Sequence, residues 1–248
     1  MNRTKNAGTE HPSPLLTYEK SLSLKAKVDN FIDRQIDLWN ENVPYAKHLE
    51  EDKLNPEWYE RHTIEHVWRI RLMRTSQVHA LHAIAKLSPE AAQLYARYQD
   101  EEMLHDTLFA QDLEKMGVSK SKILATEPLF PTRLLIGFMY FIAQHENPIG
   151  AICYSYLVEY TTIKLTGRQL NAMKVSLGEE NIEGQLMHMN TDLVEDHSGD
   201  MWRLLNSLIF KEDDERIIFQ YLGEFQELLG MYFKMLHETT VLKRSKSA

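Results

Sequence analysis

The sequence contains one cysteine, Cys153, among 248 residues. A single cysteine cannot form an intrachain disulfide and excludes the cysteine-rich zinc and iron–sulfur sites, so we expect a reducing, cytoplasmic environment. Glycine (10 residues) and proline (8 residues) are also sparse, which favours helices over sheets. Because neither strand alternation nor an internal repeat is visible, the sequence predicts one all-α domain.

The sequence also lacks a long apolar run and a dense basic segment. Its longest strongly apolar run, residues 134–143, is too short to span a bilayer, and the polar residues 1–14 contain no apolar signal-peptide core. The formal net charge is −8 at pH 7, whereas a nucleic-acid-binding surface needs a basic patch. We interpret the basic run 243–246 as a solvated tail. We therefore expect neither a membrane nor a nucleic-acid partner.

Apolar residues spaced three and four apart predict about seven or eight helices between residues 21 and 240. Residues 1–20 are polar, with little to bury, and predict a disordered tail. Residues 241–248 form a polar C-terminal tail in the same interpretation. The chain is thus expected to be a single helical domain with a tail at each end.

Several residues indicate where these helices begin and end. Ser88 followed by proline is typical of a helix N-terminus, and we expect that helix to run to about Met116, before Gly117. Gly178 ends an earlier segment, and a further helix is predicted over residues 180–210. Both long helices are expected to be continuous.

Glu102 and His105 are three residues apart, so their side chains lie on one face of a helix. A Glu-x-x-His pair can offer a carboxylate and an imidazole to the same metal ions. No other glutamate of the sequence has histidine three residues later. A ferritin-like bundle would show a second such pair, so its absence argues against that class.

Glu159 is the one charged residue between Glu146 and Lys164, in mainly apolar and aromatic surroundings. A buried ionised carboxylate is costly unless it is paired, solvated or metal-bound. We interpret Glu159 either as a metal ligand or general base, or as a core carboxylate bonded to tyrosine or threonine.

A third segment combines His188 and Asp192, which share a helix face, with Glu195 close to that face. His197 lies about half a turn away on an ideal helix, so it joins them only where the helix is overwound, bulged or unwound. The spacing leaves open whether Glu195 or His197 completes the set. Inward carboxylates and imidazoles from separate helices are what a non-heme iron or manganese site requires.

Glu65 is a weaker candidate. Antiparallel pairing about the Ser88 turn would place residues 74–77 level with Glu102. Glu65 would then lie about 15 Å from that level, at the usual helical rise. At most it is an outer ligand.

The segments around these residues resemble the heme-oxygenase-like di-iron oxidases. Residues 98–117 are similar to the Glu/His helix of that family, and residues 145–159 are similar to its next metal-bearing helix. The resemblance spans about residues 60–205. Two positions depart from the usual pattern: Tyr98 stands where many members have glutamate, and Glu195 stands where members often have histidine. The Glu-x-x-His form resembles the fatty-acid decarboxylase branch.

The resemblance implies a heme-oxygenase-like fold with two ferrous ions, manganese being an alternative, and O2 as co-substrate. The implied reaction is oxidation of a small organic substrate: N-oxygenation or C–C cleavage of an amino acid or amine, or oxidative decarboxylation of a fatty acid. Carried over by position, the implied metal ligands are Glu102, His105, Glu159, His188, Asp192 and His197.

Other functions stay open at this point. Metal-free relatives by fold include the thiaminase II type, for which Cys153 is the one candidate nucleophile, and the pyrroloquinoline-quinone synthase type. A non-catalytic helical scaffold is a further alternative, which metal content would distinguish. The acidic net charge favours a cationic or amino-containing substrate, and the apolar run 134–143 favours an acyl chain. The faces of the last helix fit either the core or a homodimer.

Overall fold

A computed structural model describes residues 14–43 and 54–245. Over these residues the backbone forms ten α-helices and a single-turn 3₁₀ helix, without a strand, which confirms the all-α class. The helices are α1 (Tyr18–Asn42), α2 (Pro56–Leu87), α3 (Pro89–Glu102), α4 (His105–Lys115), α5 (Lys120–Ala125), α6 (Phe130–His145), α7 (Ile149–Leu177), α8 (Glu183–Glu195), α9 (His197–Ser207) and α10 (Asp213–Ser245).

The number of helices exceeds the seven or eight predicted because two helices are interrupted and α5 is added. The predicted helix from Ser88 to Met116 is divided at residues 103–104 into α3 and α4, and the one over residues 180–210 is divided at Asp196 into α8 and α9. Asp196 has left-handed backbone angles (φ 48°, ψ 43°), which end α8. Its carboxylate accepts a hydrogen bond from the Gly199 amide and caps α9.

The helix ends expected from the sequence are confirmed where capping residues stand. Ser88 Oγ accepts a hydrogen bond from the Ala91 amide at 3.1 Å, and Pro89 is the first residue of α3. Gly117 and Gly178 follow α4 and α7 with φ of 85°, a conformation that glycine adopts without a steric penalty.

Of the predicted tails, residues 1–13 and 246–248 lie outside the described residues. Helix α1 already begins at Tyr18, and α10 continues to Ser245. Among the described residues, no helix is both long and apolar enough to cross a lipid bilayer.

Helix packing brings the segments with the predicted ligands together. Helix α2 packs against α3, α4, α6 and α10, while α7 packs against α8, α9 and α10. In addition, α4 contacts α8 and α3 contacts α9. Helices α3, α4, α7, α8 and α9 therefore surround a common region.

Candidate metal centre

Glu102, the last residue of α3, is shared by two clusters of carboxylates and histidines. Its Oε2 lies 2.7 Å from His105 Nδ1 and 4.0 Å from His188 Nε2. Its Oε1 lies 3.5 Å from His197 Nδ1. Oε1 is buried and has no hydrogen-bond partner among the described residues. The two oxygens of one carboxylate thus face two different sets of possible ligands, as a bridging carboxylate requires.

The second cluster is completed by Glu159, from the middle of α7. Glu159 Oε2 lies 3.7 Å from His197 Nδ1, and both residues are buried, with 4% and 1% of their surface exposed. Glu159 Oε1 accepts a hydrogen bond of 2.7 Å from the Tyr98 hydroxyl. Burial, and then the charge of Glu159, raise the pKa of Tyr98 well above its usual value. Tyr98 therefore stays protonated and continues to donate to Glu159.

Both helix interruptions lie next to these residues. Glu102 and His105 flank the break at residues 103–104, where Leu104 has φ −112° and ψ 8°. His197 directly follows the left-handed Asp196. The spacing in the sequence places His197 with the other candidates only where the helix is distorted. The break at Asp196 is such a distortion, because the chain turns there and the His197 ring enters the site.

The other ring nitrogen of His197 faces two acids nearer the surface. His197 Nε2 lies 3.1 Å from Glu195 Oε2 and 3.2 Å from Glu101 Oε2. Glu195 and Glu101 are both largely exposed. His197 thus belongs to the inner cluster and also, with Glu101 and Glu195, to a third group of possible ligands nearer the surface. Asp192 belongs to α8, but its side chain lies outside the described part of the structure.

Glu65 lies apart from these clusters. Arg74 Nε donates to the Met103 carbonyl at 2.6 Å. This contact confirms the prediction that residues 74–77 of α2 lie beside Glu102 at the end of α3. The Glu65 carboxylate instead accepts hydrogen bonds from the Leu129 amide at 3.0 Å and from the Thr132 hydroxyl at 2.5 Å. It thus anchors the start of α6 to α2.

A cavity of about 250 Å³ adjoins the clusters, with Glu102, Glu159 and His188 in its wall. Tyr154 and Thr162 of α7 also line it. No described residue of α6 does so. The apolar run in α6 therefore forms core rather than pocket wall.

Two other tyrosines of α7, Tyr156 and Tyr160, have structural roles. Their hydroxyls donate to Asp29 and Asp33 of α1. These contacts tie α7 to α1 on a side away from the cavity.

The contribution of α2 to the cavity is not predicted from the sequence. His62, His66, Arg69 and Met73 line the cavity from one face of this helix. Their spacing of three and four residues is the signal that could have identified them. His62 Nδ1 lies 2.7 Å from the Tyr232 hydroxyl. Burial, and then the charge of Arg69, lower the pKa of His62 to about 3.

Fold and site together define a helical protein of the heme-oxygenase-like class with adjacent carboxylate–histidine clusters. A model of the family described as an iron-containing redox enzyme matches residues 69–226, more than half of the chain. The chain belongs to this family. A comparison with curated protein sequences gave no significant match.

Solved structures support the fold assignment. The chain is similar to a domain of unknown function with a heme oxygenase-like fold from Shewanella denitrificans (TM-score 0.77, 18% identity, 93% of this chain and 96% of that one). It is also similar to a TenA homolog from Pseudomonas syringae pv. tomato (TM-score 0.69, 10% identity, 96% and 99%). A TenA homologue from P. horikoshii is similar as well (TM-score 0.64, 13% identity, 86% and 97%). At these identities the likeness concerns the fold alone.

Proposed function

We propose that the protein is an O2-dependent non-heme iron oxidoreductase that binds two metal ions. The observation that carries this proposal is Glu102, whose two oxygens face separate clusters while Oε1 is buried without a hydrogen-bond partner among the described residues. Leaving a buried carboxylate oxygen unsatisfied costs free energy, which a bound cation would offset. Carboxylate oxygens combined with imidazole nitrogens suit iron, with manganese as an alternative.

The two clusters assign the ligands. One ion would be held by Glu102, His105 and His188, and the other by Glu102, Glu159 and His197. Asp192, one turn after His188, stays a predicted ligand.

Bound ferrous iron would supply the electrons that reduce O2. The chain's own residues orient the ligands and shield them. Tyr98 donates to one oxygen of Glu159 and leaves the other directed towards His197. The Phe109 ring packs 5.3 Å from that of His188, measured between centroids, and excludes water from that side. The cavity gives a small organic molecule access to both clusters. Such a molecule would be an amine or amino acid undergoing N-oxygenation or C–C cleavage, or a fatty acid undergoing oxidative decarboxylation.

Anaerobic titration of the metal-free protein with Fe(II), followed by mixing with O2, tests this proposal. We expect binding of about two equivalents and a change in visible absorption that requires O2. A folded protein, verified by circular dichroism, that binds no iron would contradict the proposal and favour a metal-free enzyme or a scaffold.

The position of Cys153 speaks against a thiaminase-like alternative. Its side chain is fully buried, burial raises the pKa of the thiol, and it does not line the cavity. A cysteine nucleophile acts as an accessible thiolate. The metal-dependent function therefore fits this chain better.

A further inference from the structure

Helix α2 carries four arginines, and three of them pair with carboxylates. Arg61 pairs with Glu65 at 2.6 Å. Arg71 and Arg74 both pair with the buried Asp106. Among the residues whose side chains the structure describes, by contrast, no carboxylate lies within ion-pair distance of Arg69.

The contacts of Arg69 hold its guanidinium in place without neutralising it. One terminal nitrogen lies 2.8 Å from His66 Nδ1, and the guanidinium carbon lies 5.0 Å from the centroid of the Tyr232 ring. Its Nε is buried and has no hydrogen-bond partner among the described residues. A guanidinium held in this way keeps both its charge and a free donor.

Arg69 lines the same cavity as the metal clusters. Most of the remaining wall is apolar. Its apolar side chains include the following from α2, α7 and α10: Met73, Leu157, Leu165, Met173, Leu229 and Phe233. The cavity therefore combines two arginines, Arg69 and the Asp106-paired Arg74, with an apolar region and the candidate ligands Glu102, Glu159 and His188.

We propose that Arg69 binds the carboxylate of an amphipathic substrate whose apolar chain lies in the cavity beside the clusters. A planar guanidinium matches a carboxylate in charge and in its two-pronged hydrogen-bond geometry. The carboxylate is then held by protein rather than by metal, and the apolar chain extends from Arg69 along the cavity. The binding step requires only this cavity, whereas the reaction rests on the function proposed above.

The local charge favours a monoanion. Burial lowers the pKa of both His62 and His66 below the usual histidine value, so the two imidazoles beside Arg69 are neutral. Arg69 thus contributes one positive charge that no described carboxylate pairs with, which balances a carboxylate, whereas a phosphate dianion would need more. The net charge of −8 acts against any anion, but salt screens distant exposed charges beyond about 8–10 Å.

Calorimetric titration of the full-length protein tests the proposal, both metal-free and loaded with Fe(II) without O2. The probes are octanoate, octanol, octylamine and octyl phosphate, which share a chain and differ in the head group. We expect octanoate to bind at least tenfold more tightly than the other three. In Arg69→Gln the octanoate affinity should fall about 10- to 100-fold while octanol binding stays unchanged, and Arg69→Lys should retain part of the preference.

The matched control is Arg216→Gln. It makes the same change of net charge at an exposed arginine of α10, which pairs with Asp213. Octanoate binding should be unaffected in this variant.

Three results would overturn the proposal: unchanged octanoate affinity in Arg69→Gln, tighter binding of octyl phosphate or octylamine than of octanoate, or no binding of any probe. Iron stoichiometry is measured separately. A protein that binds no iron but shows an Arg69-dependent preference for octanoate would refute the metal function and support this inference. A protein that binds iron but shows no Arg69-dependent preference for octanoate would refute this inference and leave the metal function standing.

Discussion

The candidate ligands differ in the number of clusters to which they belong. Glu102 is within ligand distance of both clusters, whereas His105 belongs to one and Glu159 to the other. Removal of Glu102 should therefore leave no intact site, whereas removal of His105 or of Glu159 should leave one. This makes the metal stoichiometry more informative than affinity alone.

We expect Glu102→Ala to lose both iron equivalents, and His105→Ala and Glu159→Ala to retain about one each. Iron content after anaerobic loading and desalting measures this, and circular dichroism should show nearly unchanged helicity. Glu114→Ala, at an exposed position of α4, is the control. A Glu102→Ala protein that keeps one tightly bound equivalent would show that this carboxylate does not bridge.

Tyr98→Phe should weaken Fe(II) binding about tenfold while the protein stays folded. The substitution removes the hydroxyl that donates to Glu159, and a hydrogen bond to a charged group contributes about 1.5–3 kcal/mol. Competition with a chromogenic Fe(II) chelator measures the affinity. The neighbouring buried Tyr95, whose ring stacks on Tyr98, supplies the control Tyr95→Phe. Equal affinities for the two variants would rule out the positioning role.

At the scale of elements, the sequence predicts most helices but not their interruptions. Helix ends can be predicted at Ser88, Gly117 and Gly178, because helix capping depends on the capping residue and its nearest neighbours in sequence. The breaks at residues 103–104 and at Asp196 leave the apolar spacing almost continuous, so tertiary contacts decide them. Residue type and spacing in the sequence suffice to select the candidate ligands, whereas the position of Glu102 in both clusters depends on the distances between helices.

Gly184, near the start of α8, lets this helix approach α4 closely. A Cβ atom there would lie 2.4 Å from the Leu108 carbonyl oxygen, which is backbone and cannot rotate away. Gly184→Ala should therefore lower the free energy of unfolding by about 1–3 kcal/mol and weaken iron binding through His188. Chemical denaturation measures the first effect and iron titration the second.

Gly223→Ala in α10 is the matched control, since nothing lies within 4 Å of its Cβ position. Replacing glycine in the interior of a helix should stabilise by about 0.5–1 kcal/mol. If Gly184→Ala were equally well tolerated, the close approach of α8 to α4 would not limit the site.

For the molecule as a whole, composition and apolar spacing suffice for the all-α class, and the quoted segments suffice for the family. They do not show the cavity, because its wall combines residues from α2, α7 and α10 that are far apart in sequence. His62 and Arg69 became candidates only once these helices were packed together. For the same reason the overall net charge does not show that Arg69 and Arg74 share the cavity wall with Glu102 and Glu159.

Stability should decrease in mild acid because of His62. Its pKa is about 3 in the folded protein and about 6.5 in an unfolded chain. Between these values the unfolded chain binds a proton that the folded protein does not, so the free energy of unfolding falls as pH falls below about 6.5. At pH 5 the loss is about 2 kcal/mol. Well above pH 6.5, His62 is neutral in both states and its titration no longer changes the free energy of unfolding.

The groups that face His62 are Tyr232 of α10 and, on α2, His66 and Arg69. Denaturant unfolding at pH 5 and pH 7 should show a smaller difference in His62→Gln than in the wild type. The exposed His82→Gln should behave like the wild type. An equal pH dependence in all three proteins would contradict the assignment.

Because of the helix interruptions, the candidate ligands are attached to backbone segments of different rigidity. Glu159 projects from the interior of α7, a helix of 29 residues whose backbone hydrogen bonds resist local bending. Glu102, His105 and His197 stand at helix ends, where backbone displacement is energetically easier. Ions of different radius would therefore be accommodated by small shifts of these three residues, with Glu159 as the stationary reference point.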